Sequence, residues 1–313
     1  NAYMPTDATV LARVAALLIG IVLVGYLITL RTTSRRVVAW SLVVLSVVAA
    51  ERLTGDQAGG FRMVAIILAL LFAMKVVVTI ESNLSGTGRL SFSVWIGFAT
   101  LWFGMRPSLF VDVPAPPLSG AWLLIRAGVV RCLAGLVCVV VARLVWASSI
   151  EPSTAQVRLL VTTAILLPGL SLILHFGIFN VVAGLWRLVG AKCQALFRAP
   201  LYSRSLTEFW SKRWNMAFSE MTTLAVYRPL RQRLGTPAAT ASAFLFSGLL
   251  HELAISVPVK AGYGLPLLYF GLHAVAMSME ARLREYWWMR RNRLAMLCGR
   301  ISKHMLQVEY AGS

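Results

Sequence analysis

This sequence predicts an all-α, multi-pass transmembrane helical protein with about eight or nine membrane segments and interfacial amphipathic helices between them. Three observations carry that prediction. Of 313 residues, 58% are hydrophobic and only 13% charged, with a mean hydropathy of +0.74, whereas a soluble chain carries a charged share of about 25%. The apolar residues fall into helix-length runs, and a single apolar span in lipid has to be helical because no water is there to satisfy its backbone. The cations cluster between those runs rather than inside them.

Taken in order, the runs predict spans near 9–30, 37–50, 63–80, 90–105, 121–146, 157–174, 175–190, 238–257 and 264–281. The first is too long for the core of a cleavable leader and is followed by Arg31, Arg35 and Arg36 rather than small residues. The chain begins at Asn1 and closes on Gly312-Ser313, so one or both ends are expected to be trimmed or to carry added residues. The strongly basic segments 31–36, 191–236 and 282–304 are expected on the cytoplasmic side, and 51–62, 106–120 and 258–263 on the other. That placement needs an even number of crossings between 36 and 191. Residues 157–190 are therefore expected to form two short or broken spans, or a re-entrant pair, divided at Pro168-Gly169 and Gly177.

Segment 191–236 is too polar to span and too aromatic for a plain loop. Its aromatic residues and Met interleave with Lys192, Arg198, Arg204, Lys212, Arg213, Arg228, Arg231 and Arg233, as in an interfacial amphipathic helix. Pro200 and Pro229 are expected to bound its helical part. No internal repeat or soluble domain is evident, so residues 1–313 read as a single membrane domain.

Composition also removes function classes. A net charge of +18 would suggest nucleic acid in a soluble domain, but here the cations follow the positive-inside pattern, and no nucleic-acid partner is expected. Cys132, Cys138, Cys193 and Cys298 have neither metal-ligand nor redox spacing, so no metal site and no disulfide is expected. The chain has no G-x-S-x-G elbow and no phosphate-binding glycine loop, and His251-Glu252 is not followed by the second His of H-E-x-x-H. A cofactor-free transfer reaction is favoured.

The chemistry is expected at His251, which stands with Glu252 inside the apolar run from Ala238 to Pro258. Ionisable groups at membrane depth cost at least about 2.5 kcal/mol each and are kept for chemistry, ion movement or pairing. An imidazole can take a proton near neutrality, and the task for such a base in a membrane is to activate a hydroxyl against an acyl donor. Gly248, one turn earlier, would let a substrate or a neighbouring helix approach. Glu252 points about 100° away and is expected to meet a cation on another helix. His175, His273 and Lys75 are further polar intrusions, read as structural or tunnel-lining groups.

Three stretches follow in order: Pro200 to Trp214-Asn215, Tyr227-Arg228-Pro229-Leu230, and Phe246-Ser247-Gly248-Leu249-Leu250-His251-Glu252, in which S-L-x-x-F-W-x-x-R-W-N and S-G-x-x-H-E are together specific. With Phe103-Gly104-Met105-Arg106-Pro107 and His175-Phe176-Gly177 upstream and Tyr269-Phe270-Gly271-Leu272-His273 downstream, the chain resembles the wax synthase-like branch of the membrane-bound O-acyltransferases over residues 60 to 285. The resemblance implies a multi-helix fold with a cavity through the membrane, where acyl-CoA from the cytoplasm meets a lipophilic alcohol from the bilayer. It makes His251 the catalytic histidine and Asn215 its polar partner. The departure is at the end: such proteins run on into another hydrophobic segment after the position of Glu280, whereas 290–313 is polar and basic.

Chemical logic adds the remaining expectations. A thioester needs proximity, a base and oxyanion stabilisation rather than a cofactor. Asn215 offers an amide to substrate or to His251. Trp210 and Trp214 would share a helical face and line the acyl channel, and Lys212 and Arg213 would face CoA phosphates or serve only as orientation signals. The expected product is a wax ester from a fatty alcohol, the alternative acceptors being a terpenoid, a sterol or another small hydroxyl compound. A proton-coupled transporter using His251, Glu252 and Lys75 as a relay is the competitor from another class. The 25 arginines against 5 lysines suggest a bacterial inner membrane, or the endoplasmic reticulum in a eukaryote.

Overall fold

The computed structural model describes residues 2–31, 35–148 and 155–310, with side chains described as far as residue 287. The described residues form helices and no strands, and six helices are long and apolar enough to cross a membrane. They are α1 (Ala8–Leu30), α2 (Arg35–Thr54), α3 (Gly59–Leu84), α5 (Ala121–Ala147), α6 (Ala155–Leu188) and α7 (Met216–Val259). A short helix, α4 (Phe92–Leu101), precedes α5, and a long one, α8 (Leu265–Tyr310), closes the chain. The expected span 264–281 is the start of α8, where Glu280, Arg282 and Arg284 already interrupt the apolar run.

Helix α3 is the column of the core, with Ile66, Ala69, Ala73, Val76 and Val78 fully enclosed. It also carries the buried charges that fasten its neighbours. Near one end, Arg62 donates to the carbonyls of Pro258 (2.8 Å) and Val257 (3.2 Å) and pairs with Glu51. Near the other end, Glu81 takes both its bonds from Arg36 of α2, at 2.6 and 2.8 Å.

The expected span at 90–105 is a half-crossing. Helix α4 has 10 residues, about 15 Å at 1.5 Å per residue, half the thickness of a hydrocarbon core. Its last carbonyls therefore end at membrane depth, out of reach of water. Lys75, fully buried, supplies the missing donors: its ammonium bonds the carbonyls of Phe98 (2.9 Å), Trp102 (2.8 Å) and Gly104 (2.6 Å). The Trp186 indole N–H takes a further one, Leu101, at 3.1 Å. A cation at a helix C-terminus also meets the negative end of the helix dipole. The buried lysine and the non-crossing helix thus explain each other.

Residues 157–190, expected as two spans or a re-entrant pair, form the single helix α6, widened by a π-helical turn at Leu172–Ile178. The glycines read as breaks are its packing seam. On α5 the buried residues are Ala121, Gly128, Gly135 and Ala142, seven apart throughout. On α6, Thr162, Gly169, Gly177 and Gly184 are spaced seven, eight and seven. The extra residue is the one the π turn absorbs, so Gly177 stays on the seam. A Cβ on Gly128 would stand 2.7 Å from the Gly177 carbonyl oxygen, so the backbones pack directly on one another, as small residues permit in membranes.

These two findings correct the expected topology while preserving its parity. Segment 106–120, expected opposite 191–236, lies on the same side: Ala115 and Leu118 donate to the carbonyls of Val189 and Arg187, Lys192 donates to that of Leu109, and its side chain pairs with Asp112 at 2.8 Å. Helices α5 and α6 leave that side and return to it. Residues 2–7, 55–62 and 257–264 gather on the other side, through Thr6 on Gln57 and Arg62 on Pro258. Single cysteines at Ser119 and Arg204, in a background without the native thiols, should react with an impermeant thiol reagent from the same side, and one at Ala261 from the opposite side. Labelling of 119 together with 261 would mean that α4 crosses.

Segment 191–236 is only partly interfacial. Pro200 opens a short 3₁₀ turn, Pro200–Tyr202, as expected of a boundary. Pro229 runs inside α7, whose break is at Gly235 (φ 76°, ψ 171°). The limb before that break buries Met216, Met221, Leu224, Ala225 and Val226 in the core.

Candidate active site

A cavity of about 990 Å³ lies between the 207–227 stretch, the limb of α7 beyond Gly235, and the start of α8. Among the described residues no Asp, Glu, Lys or Arg lines it. Two helical stripes face it. One is Asn215, Phe218, Ser219, Thr222, Thr223 and Tyr227; the other is Thr236, Thr240, Ala243, Ser247, His251 and Ile255. Both follow the three- and four-residue spacing of one helix face. The cavity runs from Tyr227 and Thr236 on the basic side to Ser256 and Gly262 near the far side.

His251 ends the regular part of α7, just before a π-helical turn at Glu252–Ser256. Its Nδ1 lies 2.7 Å from the Ser247 carbonyl oxygen. A carbonyl only accepts, so Nδ1 carries the hydrogen and Nε2 is left with its lone pair, the tautomer of a base. Phe218 and Phe270 flank the ring, at 5.0 and 4.5 Å between centroids, and fix its plane.

Asn215 sits in the left-handed region (φ 44°, ψ 65°) and caps α7, its Oδ1 accepting from the Phe218 N–H at 3.3 Å. With the oxygen so used, the NH₂ group is what the residue has left to donate. The strained backbone is braced on both sides: Met216 donates to the carbonyl of Leu196 (2.9 Å) and Arg198 to that of Arg213 (2.8 Å). Strain of this kind costs about 1–3 kcal/mol and persists where the surroundings over-determine it. Among the described residues no hydrogen bond joins Asn215 to His251; Phe218 lies between them, its N–H bonded to one and its ring packed at a tilt against the other.

Trp210 and Trp214 both line the cavity, but Trp210 lies within a π-helical turn, Phe209–Arg213, and Trp214 follows it in extended backbone, rather than both on the α-helical face expected. The wider turn stacks Trp214 on Phe209, 5.6 Å apart and 13° from parallel. Gly248 faces α8 instead of the cavity, where a Cβ would stand 2.9 Å from Leu267 Cα, so it serves the neighbouring helix. Lys212 is exposed and outside the cavity. Arg213 is already engaged: it pairs with Glu208 at 2.7 Å and reaches the carbonyls of Arg198 and Ala199. The Arg204 N–H and then the Arg213 guanidinium hold the Glu208 carboxyl below its usual carboxylate range.

Among the described residues Glu252 meets no cation. Its Oε1 accepts from the Leu267 N–H at 3.2 Å, in the first turn of α8, where the positive end of the helix dipole takes the cation's place. His175 bonds Ser171 Oγ and packs on Phe197 behind Trp214, and His273 stands edge-on to Trp210; neither lines the cavity. Lys75, the third expected member of a relay, is spent on α4. Cys193 is buried, which pushes its thiol up, and it does not line the cavity.

One acid escaped notice in the sequence. Glu220 lies on the same limb of α7 as Asn215, where its Oε2 accepts from the Met105 N–H (3.2 Å) and its Oε1 faces Arg106 (3.4 Å). The Phe103–Pro107 motif therefore clamps α7 from behind, next to the carbonyls that Lys75 holds. A carboxyl five residues after Asn215 was the signal available.

Residues 193–270, the stretch that builds most of this cavity, match the family described as membrane bound O-acyl transferase. The chain is 29% identical over 112 residues to the probable long-chain-alcohol O-fatty-acyltransferase 1 of Arabidopsis thaliana, 33% of each chain. It is 30% identical over 112 residues to the probable long-chain-alcohol O-fatty-acyltransferase 2 of that plant, 33% of this chain and 32% of the relative. It is 31% identical over 98 residues to the long-chain-alcohol O-fatty-acyltransferase of Simmondsia chinensis, 28% of each. The chain spans about a third of the length of the curated relatives it matches. The motif-based resemblance to the wax synthase-like branch is borne out in this stretch.

Proposed function

We propose that this chain, an integral membrane protein carrying the membrane-bound O-acyltransferase segment at 193–270, transfers an acyl group from acyl-CoA to the hydroxyl of a lipophilic alcohol. One observation carries the reading: a histidine with Nδ1 pinned to the Ser247 carbonyl and Nε2 unspent, on the wall of an uncharged cavity of about 990 Å³. His251 Nε2 takes the alcohol proton as the oxygen attacks the thioester carbonyl. The tetrahedral oxyanion is stabilised by the Asn215 NH₂ group. Collapse breaks the C–S bond, and the departing thiolate takes the proton back from the imidazolium, giving ester and CoA. No cofactor is needed because the thioester is already activated.

A fatty alcohol is the proposed acceptor, on the names of the plant relatives and the apolar walls; terpenoid and sterol acceptors are the alternative. The arginine bias supports a bacterial inner membrane and the plant relatives an endoplasmic reticulum; in both, the basic side faces the cytoplasm. Purified protein in detergent should release CoA thiol from acyl-CoA only when a long-chain alcohol is added. Release with a sterol but no fatty alcohol would select the alternative acceptor, and no alcohol-dependent release would end the proposal.

Asn215→Asp separates capping from catalysis, since aspartate caps a helix equally well but has no NH₂ group. The variant should melt as the wild type does and lose about 10²–10³-fold in kcat, the usual loss for one oxyanion donor. A change confined to KM for acyl-CoA would make Asn215 a binding residue instead.

A further inference from the structure

A second cavity, of about 620 Å³, opens where α2, the end of α3 and α7 meet on the basic side. It lies on a face of α7 adjoining that of the active site: Thr223 and Tyr227 line the 990 Å³ cavity, while Leu224, Arg228 and Arg231 line this one. Its one acid, Glu81, is consumed by Arg36, which holds both carboxylate oxygens. Arg228 and Arg231, three residues apart on one helix face, make no ion pair among the described residues. Arg231 is steadied against the Tyr227 ring, its guanidinium 6.0 Å from the centroid. Ser85 and Gln232 add uncharged donors at the rim.

A concavity with two unneutralised guanidinium forks, neutral donors and no available carboxylate is complementary to a doubly charged oxyanion with several acceptor oxygens. We propose that this cavity binds a phosphate ester, held between Arg228 and Arg231. Two molecules at this surface offer that chemistry: the phosphorylated nucleotide end of CoA, and the headgroup of an anionic phospholipid. The first rests on the acyl donor proposed above, and the second does not.

The test measures binding rather than turnover, with the full chain purified in detergent or in nanodiscs. Two probes are used: adenosine 3′,5′-bisphosphate, and spin-labelled phosphatidylglycerol compared with phosphatidylcholine. Charge-assisted contacts of this kind make a tenfold or greater loss the expected effect of Arg228→Gln with Arg231→Gln, since about 1.4 kcal/mol is tenfold and one such contact is worth roughly that or more. Arg233→Gln, a neighbouring cation outside the cavity, should change nothing. Weakened bisphosphate binding assigns the site to CoA. Loss of the phosphatidylglycerol preference alone assigns it to a lipid headgroup. If the double variant binds both probes as the wild type does, or the wild type binds neither, the proposal is overturned. The single variants serve in place of the double one should it fail to fold. His251→Ala should bind both probes normally, so failure here leaves the active-site reading untouched, and the reverse also holds.

Discussion

His251→Ala should reduce acyl transfer by about 10²–10⁴-fold, the worth of a positioned general base, while leaving the protein folded. The stability side of that expectation is local. The imidazole borders an existing cavity and makes one hydrogen bond, to a carbonyl already within α7, so about 1 kcal/mol is lost. The alternative is a histidine kept only for packing between Phe218 and Phe270. His251→Gln decides between them, because glutamine can reach the Ser247 carbonyl and fill the slot but cannot accept a proton near neutrality. Glutamine should be as inactive as alanine. Thiol release in either variant above a tenth of the wild-type rate, with comparable melting in detergent, would remove His251 from the chemistry.

The two residues proposed to carry the chemistry were legible because a membrane makes them conspicuous. His251 in the run 238–258 is a side chain that lipid penalises, and Asn215 closes a stretch of aromatic rings and cations that no ordinary loop needs. The cavity walls were legible too, as stripes at three- and four-residue spacing leading to each of them. Hydropathy misread the backbone. Residues 102–105 are as apolar as the helix before them, so 90–105 scored as a span, although the helix ends at Leu101 and the chain is extended from Trp102. A hydropathy window cannot see whether carbonyls are bonded. It also cannot see a π turn, which shows only as an eight among sevens in the spacing of the small residues on α6.

Two charged groups, Glu252 and Arg213, were expected to meet a cation and CoA phosphates, and found other partners. Glu252 found the Leu267 N–H at the start of α8, Arg213 found backbone carbonyls and Glu208, and Arg62, which also pairs with Glu51, found the last carbonyls of α7. In lipid the ends of helices are the largest unsatisfied polar surfaces, and a side chain that reaches one gains a hydrogen bond and a dipole together. Where helix ends lie within the bilayer depends on the fold, so the sequence names the charge but not its partner.

Lys75→Met is the sharpest test of that logic, and it should be the most destabilising single change in the chain. Methionine has nearly the length of lysine and fits the buried site, so the substitution chiefly removes three hydrogen bonds, to Phe98, Trp102 and Gly104. It also removes the ammonium 3.8 Å from the Phe98 ring. Buried carbonyls left unbonded cost about 1–3 kcal/mol each, so a loss of roughly 3–5 kcal/mol is expected, in line with breaking a buried charged contact. The measurable result is a large fall in melting temperature in detergent and in the yield of folded protein. What protein folds should retain most of its activity per molecule, because Lys75 lies outside the proposed catalytic cavity. A proton relay predicts the opposite pattern: wild-type stability with transport or turnover abolished. Wild-type melting in Lys75→Met would show that α4 does not need its carbonyls capped, and the half-crossing that places 106–120 beside 191–236 would lose its physical basis.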